Sequence, residues 1–262
     1  MKNTTESIEI TKYRAPALEK GLDIIELLSR SFEPLSATEI CEALQRSKAE
    51  LYRMLHVLEA RNYIERVDTG EHYVITRKLL TLGVERQPLK DLLEFSAPIM
   101  RKISSVAGQG VHIAVQSDDQ IVVIARAEAS GLIGYSVRIG YRKPMLYTAS
   151  GRVLFAFQAE ETQAVWLEKI RKIADKEEVD RFVRQARKIA SRGYEQSRSA
   201  FVKGVADLSY PIMEKGVAIA ALTVPYIDQS SPMLNQEDTL VEIRVGAELI
   251  SSALDMGYVK SL

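Results

Sequence analysis

A single cysteine, Cys41, stands in 262 residues. No intramolecular disulfide can form, which fits a reducing cytoplasm. Cys41 falls on the apolar side of a short helical pattern and reads as a small buried hydrophobe rather than a redox group. No run approaches the roughly 20 apolar residues of a membrane span. The opening MKNTTESIEITKY is polar, lacks an apolar signal core and reads as a disordered lead. The three histidines, His56, His72 and His112, never repeat at the i, i+4 spacing of a zinc helix. A glycine-rich loop ending in Gly-Lys-Ser/Thr is missing, and so is G-x-S-x-G. The sequence therefore predicts no catalytic set, no metal site and no cofactor. Charge of either sign is not in excess, with Lys+Arg and Asp+Glu both 35. That balance neither requires nor excludes a polyanionic partner, because a regulator needs only a local basic patch.

The chain is organised around the stretch from Leu35 to Asn62. Ser36-Ala37-Thr38-Glu39 and Ser47-Lys48-Ala49-Glu50 both read as capping boxes, with serine and glutamate each reaching for the other's backbone amide. Their starts lie eleven residues apart, which leaves room for one short helix and a tight turn. That is the spacing of a helix-turn-helix. In the second helix Leu51, Met54, Leu55 and Leu58 recur at helical spacing and face the core. Ala49, Tyr52, Arg53 and His56 then point outward, with Lys48 and Glu50 near the N-terminal end. Such a face suits phosphates and base edges, and an ordinary helical hairpin with a solvated charged face fits it as well.

A wing comes next in the chain. Tyr63 to Val67 and His72 to Ile75 have strand composition, with Asp68-Thr69-Gly70 as a hairpin turn between them. Helix, helix and hairpin read as a winged helix, preceded by a core helix with Leu18, Leu22, Ile25 and Leu28 on one stripe, plus Ile24 and Leu27. From Tyr13 to Glu85 there are ten Lys/Arg against twelve Asp/Glu, which counts mildly against tight non-specific DNA binding. Arg46 to Arg61 reverses the sign, four against two. The candidate DNA-binding residues are Ser36, Ser47, Lys48, Ala49, Glu50, Tyr52, Arg53 and His56.

Residues 14–76 form the first domain in this reading, 77–88 a linker helix broken at Glu85-Arg86-Gln87-Pro88, and 89–262 the second domain. Beyond the break the sequence predicts a helix over Leu89 to Val106 and a hairpin of Val111–Val115 and Ile121–Ala125 around Ser117 to Gln120. It predicts a third strand at Leu132 to Val137 and a helix from Thr148 to Gln158. An amphipathic helix over Glu177 to Arg192 is stopped by Gly193. Strands at Val205–Met213 and Val217–Val224 and a last helix over Gln236 to Met256 complete it. Hairpins interleaved with helices make an α+β domain, an antiparallel sheet flanked by helices. Its best site candidate is the turn Thr148-Ala149-Ser150-Gly151-Arg152. Small residues opening a helix expose amides to an anion, or simply cap the helix. Tyr135, Arg138, Tyr141 and Tyr147 come shortly before it, to line a pocket or cover a sheet edge.

These residues resemble the IclR family of bacterial transcription regulators over nearly the whole chain. Ala17-Leu18-Glu19-Lys20-Gly21-Leu22-Asp23-Ile24 and Arg53-Met54-Leu55 with Leu58-Glu59 are similar to the family's winged helix. Pro144-Met145-Leu146-Tyr147-Thr148-Ala149-Ser150-Gly151-Arg152-Val153-Leu154-Phe155-Ala156 resembles its P-L-H-x-T-A-x-G-K-A-L-L-A. Arg192-Gly193-Tyr194, Gly204-Val205 and Pro211-Ile212 keep its R-G-Y, G-V and A-P-V spacing. The resemblance implies an N-terminal winged helix-turn-helix, a linker helix and a C-terminal GAF-like effector domain. It implies homodimers or dimers of dimers on palindromic double-stranded DNA, and a small-molecule effector, commonly an organic or aromatic acid. By position the effector pocket is expected to be lined by Leu132, Tyr135, Ala149, Ser150, Gly151, Ser197, Asp207, Ser209 and Thr223. The chain departs from the family at Ala49-Glu50, where Ser-Thr is usual, and at Leu146, where histidine is usual. Asp207 replaces a common cysteine and Ser197 a common aspartate. Asp207 either pairs with Arg138 or Arg152, or accepts from ligand hydroxyls or an amine. A stand-alone metabolite sensor whose winged helix makes protein contacts is the rival reading, with an enzyme on the GAF-like domain third.

Overall fold

The computed structural model describes residues 15–31, 33–67, 70–84, 89–130, 134–230 and 232–260. The polar lead at 1–13, the turn residues Asp68 and Thr69, the break at 85–88 and Leu132 lie outside them. Two compact units divide at Arg86 and Gln87.

In the first unit, Pro16 opens helix α1 (Pro16–Arg30), where its missing amide costs no helical bond. A two-residue strand β1 (Leu35–Ser36) leads into α2 (Ala37–Ala43), and α3 (Lys48–Ala60) comes after it. Strands β2 (Ile64–Val67) and β3 (His72–Ile75) form the wing, and β1 joins the sheet beside β3, so the strand order is β1-β3-β2. Helix α4 (Lys78–Val84) ends the unit. Between α2 and α3 the chain reverses at Gln45, with φ of 53°, while the Arg46 amide donates to the Cys41 carbonyl at 2.9 Å. Ile24, Leu28, Ile40, Cys41, Leu51, Leu55, Ile64 and Tyr73 form the core of this unit. Cys41 is thus the packed hydrophobe its position predicts.

The second unit is built on a six-stranded antiparallel sheet. Its elements run α5 (Leu89–Ala107), β4 (Val111–Ser117), β5 (Gln120–Ala127), β6 (Arg142–Pro144) and a 3-10 turn (Met145–Tyr147). They continue with α6 (Ala149–Ala156), α7 (Glu160–Ile170), α8 (Lys176–Arg192), β7 (Glu195–Arg198), β8 (Val205–Glu214), β9 (Val217–Ile227) and α9 (Gln236–Lys260). Strand order is β6-β5-β4-β9-β8-β7. Leu208, Ile212, Leu222, Val224 and Tyr226 pack with α5 and α9 through Met100, Ile103, Ile243, Ala247 and Ile250. The opposite face packs against α6, α7 and α8 through Ala114, Val123, Val153, Phe155, Trp166, Phe182 and Ile189. Period-two alternation sends neighbouring residues of one strand into these two different layers.

Three segments differ from the sequence reading. Residues 134–138 are not strand; the chain meets β5 just beyond them through a turn, with the Gly140 amide donating to the Val123 carbonyl at 2.8 Å. The edge strand is instead β6, paired with Gln120 to Val122. Unassigned from sequence are helix α7, whose Trp166 and Ile170 join the core with α6 and α8, and strand β7, which pairs with β8 at the sheet's other edge.

Two helix ends explain where α6 and α8 sit. Asp175 and Glu178 close a capping box on α8, and Gly193, with φ of 94°, ends it. The Thr148 hydroxyl accepts from the Gly151 amide at 3.0 Å and starts α6. Gly151 permits a backbone approach that no side chain would. A Cβ there would lie 2.2 Å from the Met145 carbonyl oxygen and 2.5 Å from its Cα. Gly151→Ala is therefore expected to destabilise the second unit by about 1–3 kcal/mol or more, read as a lower urea midpoint for the full chain. An unchanged midpoint would show that α6 does not need this close approach.

Candidate functional site

The first candidate surface is α3. Its buried stripe, Leu51 and Leu55, turns Lys48, Ala49, Tyr52, Arg53 and His56 to solvent. Among the described residues Lys48 and Arg53 form no ion pair. Glu50 is different. Its carboxylate accepts the Lys20 ammonium at 2.9 Å, the Ser47 amide at 3.1 Å and the Ser47 hydroxyl at 3.0 Å. Arg46 approaches it at 3.9 Å. The Lys20 bond above all, then the Ser47 bonds, hold the Glu50 carboxyl down to about 2. So Glu50 is an ionised, internally matched anchor between α1 and α3, not an open negative charge. Ser47 caps by donating to Glu50, whereas Ser36 accepts from the Glu39 amide at 3.3 Å while its own amide reaches Glu39 at 2.7 Å. Both serine hydroxyls are thus engaged in helix starts. On the wing, Arg66 bonds Glu59 at 2.9 Å and stacks 5.0 Å above the Tyr73 ring.

The second candidate is a cavity of about 220 Å³ beneath α6. Antiparallel register lays two polar rows under it. One row runs Glu195, Ser209, Thr223, His112 across β7, β8, β9 and β4. The other runs Ser197, Asp207, Pro225. Of the expected pocket residues, Tyr135, Ala149, Ser150, Asp207 and Thr223 line the cavity. Ser209, Gly151 and Ser197 stand behind that lining. Ser209 bonds Thr223 at 2.8 Å, and Thr223 bonds Ser150 at 3.1 Å, which ties α6 to the sheet. Gly151 carries the close packing described above. Ser197 accepts from Arg152 Nη2 at 3.1 Å. The amide of Gly151 is occupied by Thr148, so at that position the turn is a helix cap.

Arg152 is committed elsewhere. Its Nη2 also donates to Glu195 at 3.1 Å, in a pair where both side chains are about nine-tenths buried. Arg192 bonds the other Glu195 oxygen at 2.8 Å. Asp207 therefore stays without an arginine partner among the described residues, and the pairing alternative for Arg152 fails. Arg138 lines the cavity but is exposed. Burial pushes the Asp207 carboxyl up, and a hydrogen bond from Ser199 and the nearby Arg152 charge pull it back. Burial pushes the Tyr135 and Tyr141 phenols up, with the Asp207 charge adding to Tyr135, and Tyr135 then Asp207 adding to Tyr141; all three line the same cavity.

His112, Tyr141, Ser199 and Phe201 also line the cavity; of these, sequence reasoning points only to Tyr141. His112 is fully surrounded, and burial alone holds it down to about 4. Its Nδ1 finds no hydrogen-bond partner among the described residues. The signal for His112 is its β4–β9 pairing with Thr223, which single-strand patterns do not reveal.

The C-terminal description of the bacterial transcriptional regulator IclR matches residues 88–252, and the IclR helix-turn-helix description matches 17–68. The chain belongs to the IclR family. This regulator is 25% identical to the HTH-type transcriptional regulator KdgR of Dickeya chrysanthemi, over 95% of its own length and 85% of the relative's. Its fold is shared with an IclR transcriptional regulator from Alicyclobacillus acidocaldarius, with TM-score 0.74 and 21% identity over 92% of this chain and all of that one. An IclR homologue from Microbacterium hydrocarbonoxydans, solved with 4-hydroxybenzoate, aligns with TM-score 0.76 and 18% identity, covering 91% and 98%.

Neutral burial of His112 makes the IclR-family regulator sensitive to acid. An unfolded histidine titrates near 6.5, while His112 in the fold titrates near 4. Between those values the unfolded chain takes the proton and the folded chain does not. Stability is full above pH 6.5 and falls as the pH drops toward 4. From pH 7 to pH 5 the wild type is expected to lose about 2 kcal/mol more than His112→Gln, whose carboxylates titrate alike. Parallel stability curves in urea titrations at the two pH values would refute the neutral burial.

Proposed function

We propose that this chain is a ligand-responsive transcription regulator of the cytoplasm. Helix α3 enters the major groove of a palindromic operator, and the C-terminal cavity holds the effector. The observation that carries the first half is the α3 face: Lys48, Tyr52, Arg53 and His56 are presented to solvent while Glu50, at the head of the helix, is matched by Lys20 and Ser47. An open Glu50 would repel phosphate and favour the sensor that contacts proteins; its internal pairing removes that support. Arg53 sits mid-face, placed to donate to a guanine edge or a phosphate. Two-fold copies of the chain read two half-sites about one helical turn apart or a multiple of it, as a dimer or a dimer of dimers.

The support for the second half is the cavity itself, enclosed by α6, β4, β8 and β9, with polar groups converging on it. Occupation of it favours one arrangement of the paired winged helices over another, and so changes their fit to the operator.

Arg53→Ala is expected to weaken operator binding by about 1–3 kcal/mol at matched salt, with the circular dichroism melt unchanged. The operator is first selected from genomic fragments. Equal affinity of variant and wild type would remove Arg53 from the interface. A monomer by light scattering, with and without the operator, would overturn the paired reading of the site.

A further inference from the structure

The charges around the cavity are unequal in their freedom. Arg152 is held by Glu195 and Ser197, and Arg138 is solvent-exposed. Asp207 is mostly withdrawn from water and receives a hydrogen bond from Ser199. An ionised carboxylate accepts about four hydrogen bonds, so this one retains open acceptor positions facing the space. Beside it the Tyr135 and Tyr141 phenols, the Ser150–Thr223 hydroxyl pair and the His112 ring line the same cavity. His112, nine-tenths and more buried, holds a ring nitrogen with no partner among the described residues. A carboxylate next to Asp207 would meet like charge in a poorly solvated place. An ammonium would gain from Asp207 and from the tyrosine faces, but the Phe201 ring that lines the cavity already carries the Lys143 ammonium 4.8 Å from its centroid, a like charge at the same site. Several neutral polar groups around one carboxylate match several hydroxyls better than one point charge. The flat faces of Tyr135, Tyr141 and Phe201 suit the C–H face of such a compound.

We propose that the Asp207 end of the cavity takes vicinal hydroxyls of a small polyhydroxyl ligand, which donate to Asp207 and exchange hydrogen bonds with the Tyr135 phenol, Ser150, Thr223 and His112. A carboxylate on the ligand is confined to the rim near Arg138. This rests on the reading of the cavity as the effector site. The neutral polyol and the polyol acid share the chemistry at Asp207, and binding experiments separate them.

The test uses the full chain without DNA, by calorimetry or ligand-observed NMR. The probes are sorbitol, myo-inositol and glucose as neutral polyols, gluconate as a polyol acid, and benzoate and hexanoate as carboxylates without vicinal hydroxyls. At least one hydroxylated probe is expected to bind, with sorbitol against gluconate telling whether the rim adds a carboxylate. Asp207→Asn is expected to weaken that probe by roughly ten-fold or more and to strengthen benzoate. Tyr135→Phe, which keeps its ring, is expected to weaken the hydroxylated probe several-fold and to leave benzoate unchanged. Binding of benzoate or hexanoate to wild type as tightly as the hydroxylated probes overturns the proposal. Failure of every hydroxylated probe overturns it too, as does insensitivity of their binding to both substitutions. If hydroxylated probes bind as described but leave operator affinity unchanged, the regulatory reading falls and this one stands. If an effector found by operator titration lacks vicinal hydroxyls, this one falls and the regulatory reading stands.

Discussion

Side chains of β8 and β9 alternate between two covered faces, because helices pack on both sides of the sheet. Alternation along each strand sends Leu208, Ile212, Leu222 and Val224 into the layer shared with α5 and α9. The intervening positions, Asp207, Ser209, Thr223 and Pro225, are left for the face under α6. Antiparallel pairing then aligns them in rows across four strands. The polar patch in the cavity floor follows from one apolar constraint: the positions that do not join the α5–α9 core are the ones that remain free to be polar. A slip of one residue in the β8–β9 register would exchange the two sets. The long hairpin between Val205 and Ile227 therefore fixes the site as well as the fold.

Two acidic residues at unusual positions turn out to have opposite meanings. Glu50 has both oxygens engaged, by a lysine from another helix and by the serine that begins its own. Its charge is matched before any partner arrives, and α1 and α3 are tied together by the same contacts. Asp207 is more deeply placed and less well supplied. The difference is not one of residue type, since both are carboxylates, but of how many donors the surrounding chain brings within reach.

Much of this is legible in the chain. The capping boxes at Ser36 and Ser47 mark both helices of the reader, because capping is a local interaction between residues three apart. Gly193 marks the end of α8 for the same reason. Strands in two-residue alternation between glycine and aspartate turns are equally plain. The edge strand is not, because apolar composition at 132–137 suggests pairing where the chain meets β5 at a turn. Three residues, Arg142 to Pro144, two of them cationic, pair there instead. Strand β7 and helix α7 carry mixed polar sequences with no clean period. The cavity is legible where family spacing points to Asp207, Thr223 and Ser150. His112 and Ser199 are hidden, since their role comes from strands paired more than a hundred residues away in one case and from a loop bond in the other.

The Arg152 charge acts on Asp207, yet its guanidinium serves Glu195, and this has a consequence for substitution at either position. Removing Glu195 alone would strand a buried guanidinium, at a cost of about 3–5 kcal/mol, a large share of the stability of an ordinary domain. Replacing Arg152 alone would leave the glutamate its bond to Arg192. The two orders of change are thus unequal: only the loss of Glu195 leaves a buried charge without its ion-pair partner. The buried pair therefore ties the two positions to each other, whatever the cavity near them takes up.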